Sequence, residues 1–192
     1  MSQGAGVQMG PEMVPDVDLL TLVQTGDQQA FRSIYDRHVD AVALAALRFL
    51  GSREFSEDAV QATFIVFWQR SNEVVLADTS LMPWLATVCR LQCRNIQKKE
   101  ARRRHIPLDS VLHLANGEKS LEDRAVDAAL IRSMDHEISK MSTIDAEIFR
   151  LCLVEGFSYD GAAETLGVTR SVVRNRLSRL KLKLRAFLTA RA

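Results

Sequence analysis

The sequence predicts an all-α protein of two small helical domains joined by a flexible linker. Apolar residues recur at helical spacing along most of the chain, and strand-like alternation is nearly absent. Around residues 105–120 that periodicity lapses into a stretch mixing Pro, Asp, Ser, Asn and Gly. A length of 192 residues at 47% hydrophobic content gives room for one large or two small domains with their own cores.

Each element follows from local signals. Residues 1–15 lack both periodicity and the charged start and apolar run of a signal peptide, so they read as a loose tail. A short helix runs from about Asp16 to Val23 and stops at Gly26. Asp27 caps the next, which turns Phe31, Ile34, Tyr35, His38 and Val42 inward and ends near Leu50, before Gly51. Ser56 precedes a third helix, with Glu57 and Asp58 favourable in its first turn and Val60, Phe64 and Phe67 as its core stripe. After a loop from about Ser71 to Met82, Pro83 opens a helix through Trp84, a core residue, to about Arg104, and Pro107 breaks it. In the second unit, helices are expected over Leu121–Met141, Ile144–Glu155 (opened by Ser142 or Thr143, closed by Gly156), Tyr159–Leu166 (capped by Ser158) and Arg170–Thr189 (capped by Thr169). The chain divides into a tail (1–15), a first domain (16–104), a linker (105–120) and a second domain (121–192).

Net charge is only +1, but its distribution is uneven. Residues 90–104 carry +6 and residues 170–191 carry +8 with no acidic residue, which leaves −13 for the rest. Two cationic blocks on an acidic body suggest two separate contacts with a polyanion.

The second block lies in a helix-turn-helix pattern. Gly167 sits where a left-handed residue makes a tight corner, and Ala162 and Ala163 keep the first helix thin. Projected at about 100° per residue, Val173, Leu177, Leu180 and Leu184 form the core stripe. Arg170 opens the helix, and Ser171, Arg174, Asn175, Ser178 and Arg179 face away, as side chains suited to base edges and phosphates. Arg176 lies at the core margin and fits a phosphate contact or an internal ion pair. In the first block, Arg90, Arg94, Lys98, Lys99, Arg102, Arg103 and Arg104 supply phosphate contacts, with Asn95 among them. The third helix has a second stripe of Asp58, Gln61, Ile65 and Trp68, read as a partner surface, although Trp68 also suits the local core.

No catalytic machinery is expected. The chain lacks a Gly-rich phosphate loop, a metal-ligand spacing and a nucleophile–base pair. Cys89, Cys93 and Cys152 read as reduced structural thiols, and neither metal nor cofactor is implied. No apolar run reaches membrane-spanning length, and a cytoplasmic location is expected.

Glu57-Asp-Ala-Val-Gln-Ala-Thr-Phe-Ile-Val-Phe-Trp68 resembles region 2.2 of bacterial sigma factors. Pro83-Trp-Leu-Ala-Thr-Val-Cys-Arg90 and the basic run after it resemble regions 2.3 and 2.4, and Met141–Leu184 resembles region 4. With no recognisable region 1 or 3, the chain is similar to the extracytoplasmic-function (group 4) sigma factors of the sigma-70 family. The resemblance implies that region 2 binds the clamp helices of the polymerase largest subunit, with Asp58 and Gln61 at matching positions. It implies that the helix from Trp84, with the loop Asn72–Met82, reads and opens the −10 element. Region 4 would read the −35 element and touch the polymerase flap, and an anti-sigma factor would be a further partner. Leu91, Asn95 and Ser171-Val172 depart from the family pattern, which bears on base preference at both elements. The alternative is a stand-alone helix-turn-helix regulator that binds operator DNA without polymerase. That alternative leaves the basic run at 90–104 unexplained.

Overall fold

The computed structural model describes residues 14–76, 80–103 and 121–189. The tail over 1–13 and the linker lie outside the described residues. Among those residues the regular structure is entirely helical.

Helix α1 (Asp16–Gln24) leads into α2 (Gln28–Leu50). Asp27 Oδ1 accepts from the Gln29 and Ala30 amides at 2.8 and 3.0 Å, satisfying two otherwise orphaned donors. Gly51 ends α2 in the left-handed conformation, φ 65°, with its amide on the Leu47 carbonyl. Helix α3 (Arg53–Arg70) then starts at once, earlier than the sequence suggests. Its cap is Ser52, which accepts from the Phe55 amide, while Ser56 is buried in the first turn and donates to the Ser52 carbonyl. Both serines satisfy the capping pattern, and the corner after Gly51 selects the nearer one. A 3₁₀ turn (Ser71–Glu73) follows, then α4 (Met82–Arg103), whose first amide donates to Ser80 Oγ.

The second unit holds α5 (Leu121–Ser139), α6 (Thr143–Ile148), α7 (Tyr159–Leu166) and α8 (Arg170–Thr189). Ser142 caps α6 and Ser158 caps α7. Over Phe149–Val154 the expected single helix widens into a π turn. Leu151, Cys152 and Leu153 are buried in succession there.

Ile34, Val42, Leu44, Phe64, Phe67 and Leu85 centre the first unit, and Ile148, Leu153, Ala162, Val173 and Leu177 the second. Trp84 is half-buried with its ring on Phe67 at 5.9 Å. The three cysteines are free and buried, and Cys89 and Cys93 stand 4.0 Å apart, sulfur to sulfur, well beyond a disulfide bond.

The two units are in contact. The π turn and α8 pack on α2, and the π turn also packs on α4. Asp127 accepts from the Arg53 amide at 3.1 Å, and Arg48 lies 3.6 Å from Asp135. Gly156, at φ 76°, rests so close to Thr87 that an added Cβ would meet its Oγ1 at 2.7 Å.

Candidate nucleic-acid interface

The corner between α7 and α8 sets the direction of α8. Gly167 adopts φ 64° and closes α7, and Val168 returns its amide to the Ala163 carbonyl. Thr169 lies just before α8, but its hydroxyl is shared with that of Ser171 at 2.9 Å. Buried Ala162 and Ala163 let α8 cross closely, and Val173, Leu177 and Leu180 are buried beneath it. The side chain of Leu184 lies outside the described residues.

Arg170, Ser171, Arg174, Asn175, Ser178 and Arg179 are all exposed, as the projection predicts. Arg170 also reaches back toward Asp160 at 3.7 Å, and Arg179 Nε donates to the Asn175 carbonyl. Arg176 makes the internal pair, donating to Asp145 Oδ1 at 2.9 Å. Burial pushes the Asp145 carboxyl up, but the Ser142 hydroxyl and Arg176 outweigh it and hold it below its usual range.

One basic residue of this helix departs from the expectation of a face turned wholly to a polyanion. Lys181 is half-buried and directs its ammonium to His38 Nδ1 at 3.1 Å. Its place in the i, i+4 series from Leu177, on the margin of the core stripe, is the sequence signal that could have found it.

On α4, Arg94, Asn95, Lys98, Lys99, Arg102 and Arg103 are exposed. Asn95, Lys98, Lys99, Arg102 and Arg103 line one shallow depression, and Glu100 pairs with Arg103 at 3.1 Å. Arg90 stands apart: it is half-buried, and its Nε is buried without a hydrogen-bond partner among the described residues. Arg104 lies outside the described residues. Exposed Leu91 adds an apolar point on the helix one turn before Asn95.

Asp58, Gln61, Ile65 and Trp68 are exposed on α3. Gln61, Ile65 and Trp68 form one wall of an apolar groove of about 900 Å³, and Asp58 stands outside it. The other wall is α2, through Phe31, Tyr35, Val39, Ala43 and Leu47. Tyr35 is therefore a groove residue rather than a fully inward one, with its ring 4.7 Å from Phe64. Trp68 is 39% exposed and meets Phe31 edge-on at 5.1 Å, so it serves both groove and core. The strict four-residue spacing from Phe31 to Leu47 is the signal for this second wall. Among the described residues no cluster of three or more His, Cys, Asp or Glu could hold a metal, and no helix is long and apolar enough to cross a membrane.

A helix-turn-helix with an exposed polar and cationic face, beside a second cationic helix and an apolar groove, defines a helical DNA-binding protein with a docking surface. Residues 34–103 match Sigma-70 region 2, and residues 131–184 match Sigma-70 region 4. The chain belongs to the sigma-70 family, as an extracytoplasmic-function sigma factor. It is similar to the RNA polymerase sigma factor NccH of Alcaligenes xylosoxydans xylosoxydans, 29% identical over 91% of this chain and 96% of NccH. It is likewise similar to the sigma factor CnrH of Cupriavidus metallidurans, 27% identical over 95% of this chain and 98% of CnrH. The ECF sigma factor SigK of Mycobacterium sp. (strain KMS) is 24% identical over 87% of this chain and 88% of SigK. A solved structure of CnrH in complex with the cytosolic domain of CnrY matches at TM-score 0.44 and 24% identity, covering 92% of this chain and 99% of that one.

Proposed function

We propose that this sigma factor directs core polymerase to its promoters through three separate faces. Ser171, Arg174, Asn175, Ser178 and Arg179, flanked by Arg170, read the −35 element in the major groove. Arg94, Asn95, Lys98, Lys99, Arg102 and Arg103 hold the −10 region, chiefly by its phosphates. Arg90 acts from the edge of that face. Asp58, Gln61, Ile65 and Trp68 receive the clamp helices of the polymerase largest subunit, and region 4 also touches the flap.

The domain limits follow the same division: region 2 over 16–104, a linker over 105–120 and region 4 over 121–192. An anti-sigma factor that covers the groove would silence the chain, and the cytoplasm is where it acts. The observation that carries the reading is the split surface of α8. Val173, Leu177 and Leu180 are buried while Ser171, Arg174, Asn175, Ser178 and Arg179 stand in solvent.

Reconstitution tests it. The purified chain added to core polymerase is expected to start transcription at promoters sharing two upstream motifs. Tight operator binding without polymerase, and no association with core enzyme at low salt, would instead leave a stand-alone regulator.

A further inference from the structure

A buried polar relay crosses the contact between the two units. Asp16 on α1 is 4% exposed and accepts from His38 Nε2 at 2.8 Å, from the Leu81 amide at 2.7 Å and from Arg37. Burial raises the Asp16 carboxyl, but these partners outweigh it and hold it well below the usual carboxylate range. An ionised Asp16 can only accept, so Nε2 of His38 carries the proton. The neutral ring then presents a bare Nδ1, and the acceptor it offers is taken by Lys181 of α8 at 3.1 Å.

We infer that the docked arrangement is a self-closed form of the chain, in which Lys181 on His38 is a latch that protonation of His38 releases. A protonated ring has no lone pair for Lys181 and sets a cation against an ammonium. The other groups around the pair are Asp16 from α1, Arg37 from α2 and Cys152 from the π turn, which faces Lys181. Asp16 and Arg37 belong to the first unit and stay with His38 when α8 leaves.

Burial, and then the Lys181 charge, push His38 down to about 4 in the closed form. Undocking re-exposes the ring and removes the ammonium, returning it to 6.5 or above. At His38 the closed form thus binds fewer protons, so the ring's contribution to closure is complete above about pH 6.5 and is lost as the pH falls toward 4; Lys181, which burial lowers to about 8 in the closed form, adds its own dependence chiefly above that pH. Across the seam the π turn packs on α2 and α4 and α8 packs on α2, beside one hydrogen bond to a helix end, an exposed ion pair and the close approach of Gly156 to Thr87. If α8 reads DNA, its separation from α4 is fixed while docked, and that consequence alone rests on the proposed function.

The Arg53 amide is a direct reporter. It lies at the start of α3, where no carbonyl of its own helix serves it, and donates to Asp127 across the seam. Amide hydrogen exchange of the full chain by NMR, corrected for intrinsic rates, reads the opening constant at this site. Between pH 7.5 and 5.0 its protection is expected to fall by about 30-fold, the ratio set by a ring at about 4 closed and 6.5 open. Lys181→Met is expected to lower protection at pH 7.5 and to reduce the pH dependence without removing it, because burial of His38, the larger cause, remains. Exposed Lys183→Met is expected to behave as the parent, and so are the Leu44 and Ala45 amides in the core of α2. Unchanged Arg53 protection in Lys181→Met, or no loss in the parent at pH 5.0, overturns the latch. An equal fall at Leu44 and Ala45 also overturns it, since that would be global destabilisation.

Discussion

Arg176 and Asp145 join the middle of α8 to the first turn of α6 through one 2.9 Å hydrogen-bonded ion pair. The pair sits at the margin of the region 4 core, with side chains one-third or less exposed. It fixes the roll of α8 about its axis, and thereby which residues of the helix look outward.

Arg176→Met is expected to destabilise the fold by about 1 kcal/mol, at the upper end for a partly exposed pair. The effect depends on pH. Asp145 is held below its ordinary value of 3.8, so its contribution is complete above that pH and is lost as the carboxyl protonates below it. Urea unfolding of parent and variant at pH 7 and pH 3 checks both points: the difference should shrink at the lower pH.

Arg174→Ala and Arg179→Ala are each expected to weaken recognition of the upstream promoter element by about 10- to 100-fold, if each makes a paired contact to a base worth ~1–3 kcal/mol. Circular dichroism should not change, because both side chains are exposed. Transcription from promoters varied base by base would show relaxed preference at one position per variant.

Lys98→Ala and Lys99→Ala should act differently. As phosphate contacts they carry no base preference, so binding should weaken on every promoter alike. The slope of log affinity against log salt should become less steep by about one for each lysine removed. A loss confined to one promoter sequence would count against this role.

Ile65→Arg should abolish association with core polymerase while leaving the unfolding midpoint within about 0.5 kcal/mol of the parent, since the side chain is 48% exposed on the groove wall. Gel filtration with core enzyme and urea unfolding test the two halves.

Thiol labelling should be slow. Cys89, Cys93 and Cys152 are buried, and the neighbouring Cys89 thiol together with burial holds Cys93 well above the ordinary thiol range. Cys89 and Cys93 are expected to react with a thiol reagent only as fast as the first unit opens, and Cys152, at the seam, as fast as the two units undock. Rapid labelling of any one in the folded protein would contradict this.

Local chemistry made most of the helices legible. The residues chosen as stops, Gly26, Gly51, Gly156 and Gly167, all take positive φ, because capping is a short-range rule that the neighbours alone decide. The outward row of α8 was legible for the same reason: burial of Val173, Leu177 and Leu180 settles what remains outside. Tertiary choices were not. Ser52 and Ser56 are equally good caps until the corner at Gly51 is known. The inward turn of Lys181 depends on His38, a residue 143 positions away. The wall from Phe31 to Leu47 belongs to a groove that exists only once α3 lies beside α2.

Leu130 of α5 stands at the rim of that groove. A guest that uses Leu130 as part of its seat holds the docked posture better than the open one. By thermodynamic reciprocity, docking then tightens that guest by the same factor. A guest that must push α5 aside meets the opposite bias, so visitors to one shared surface are sorted by the posture each demands.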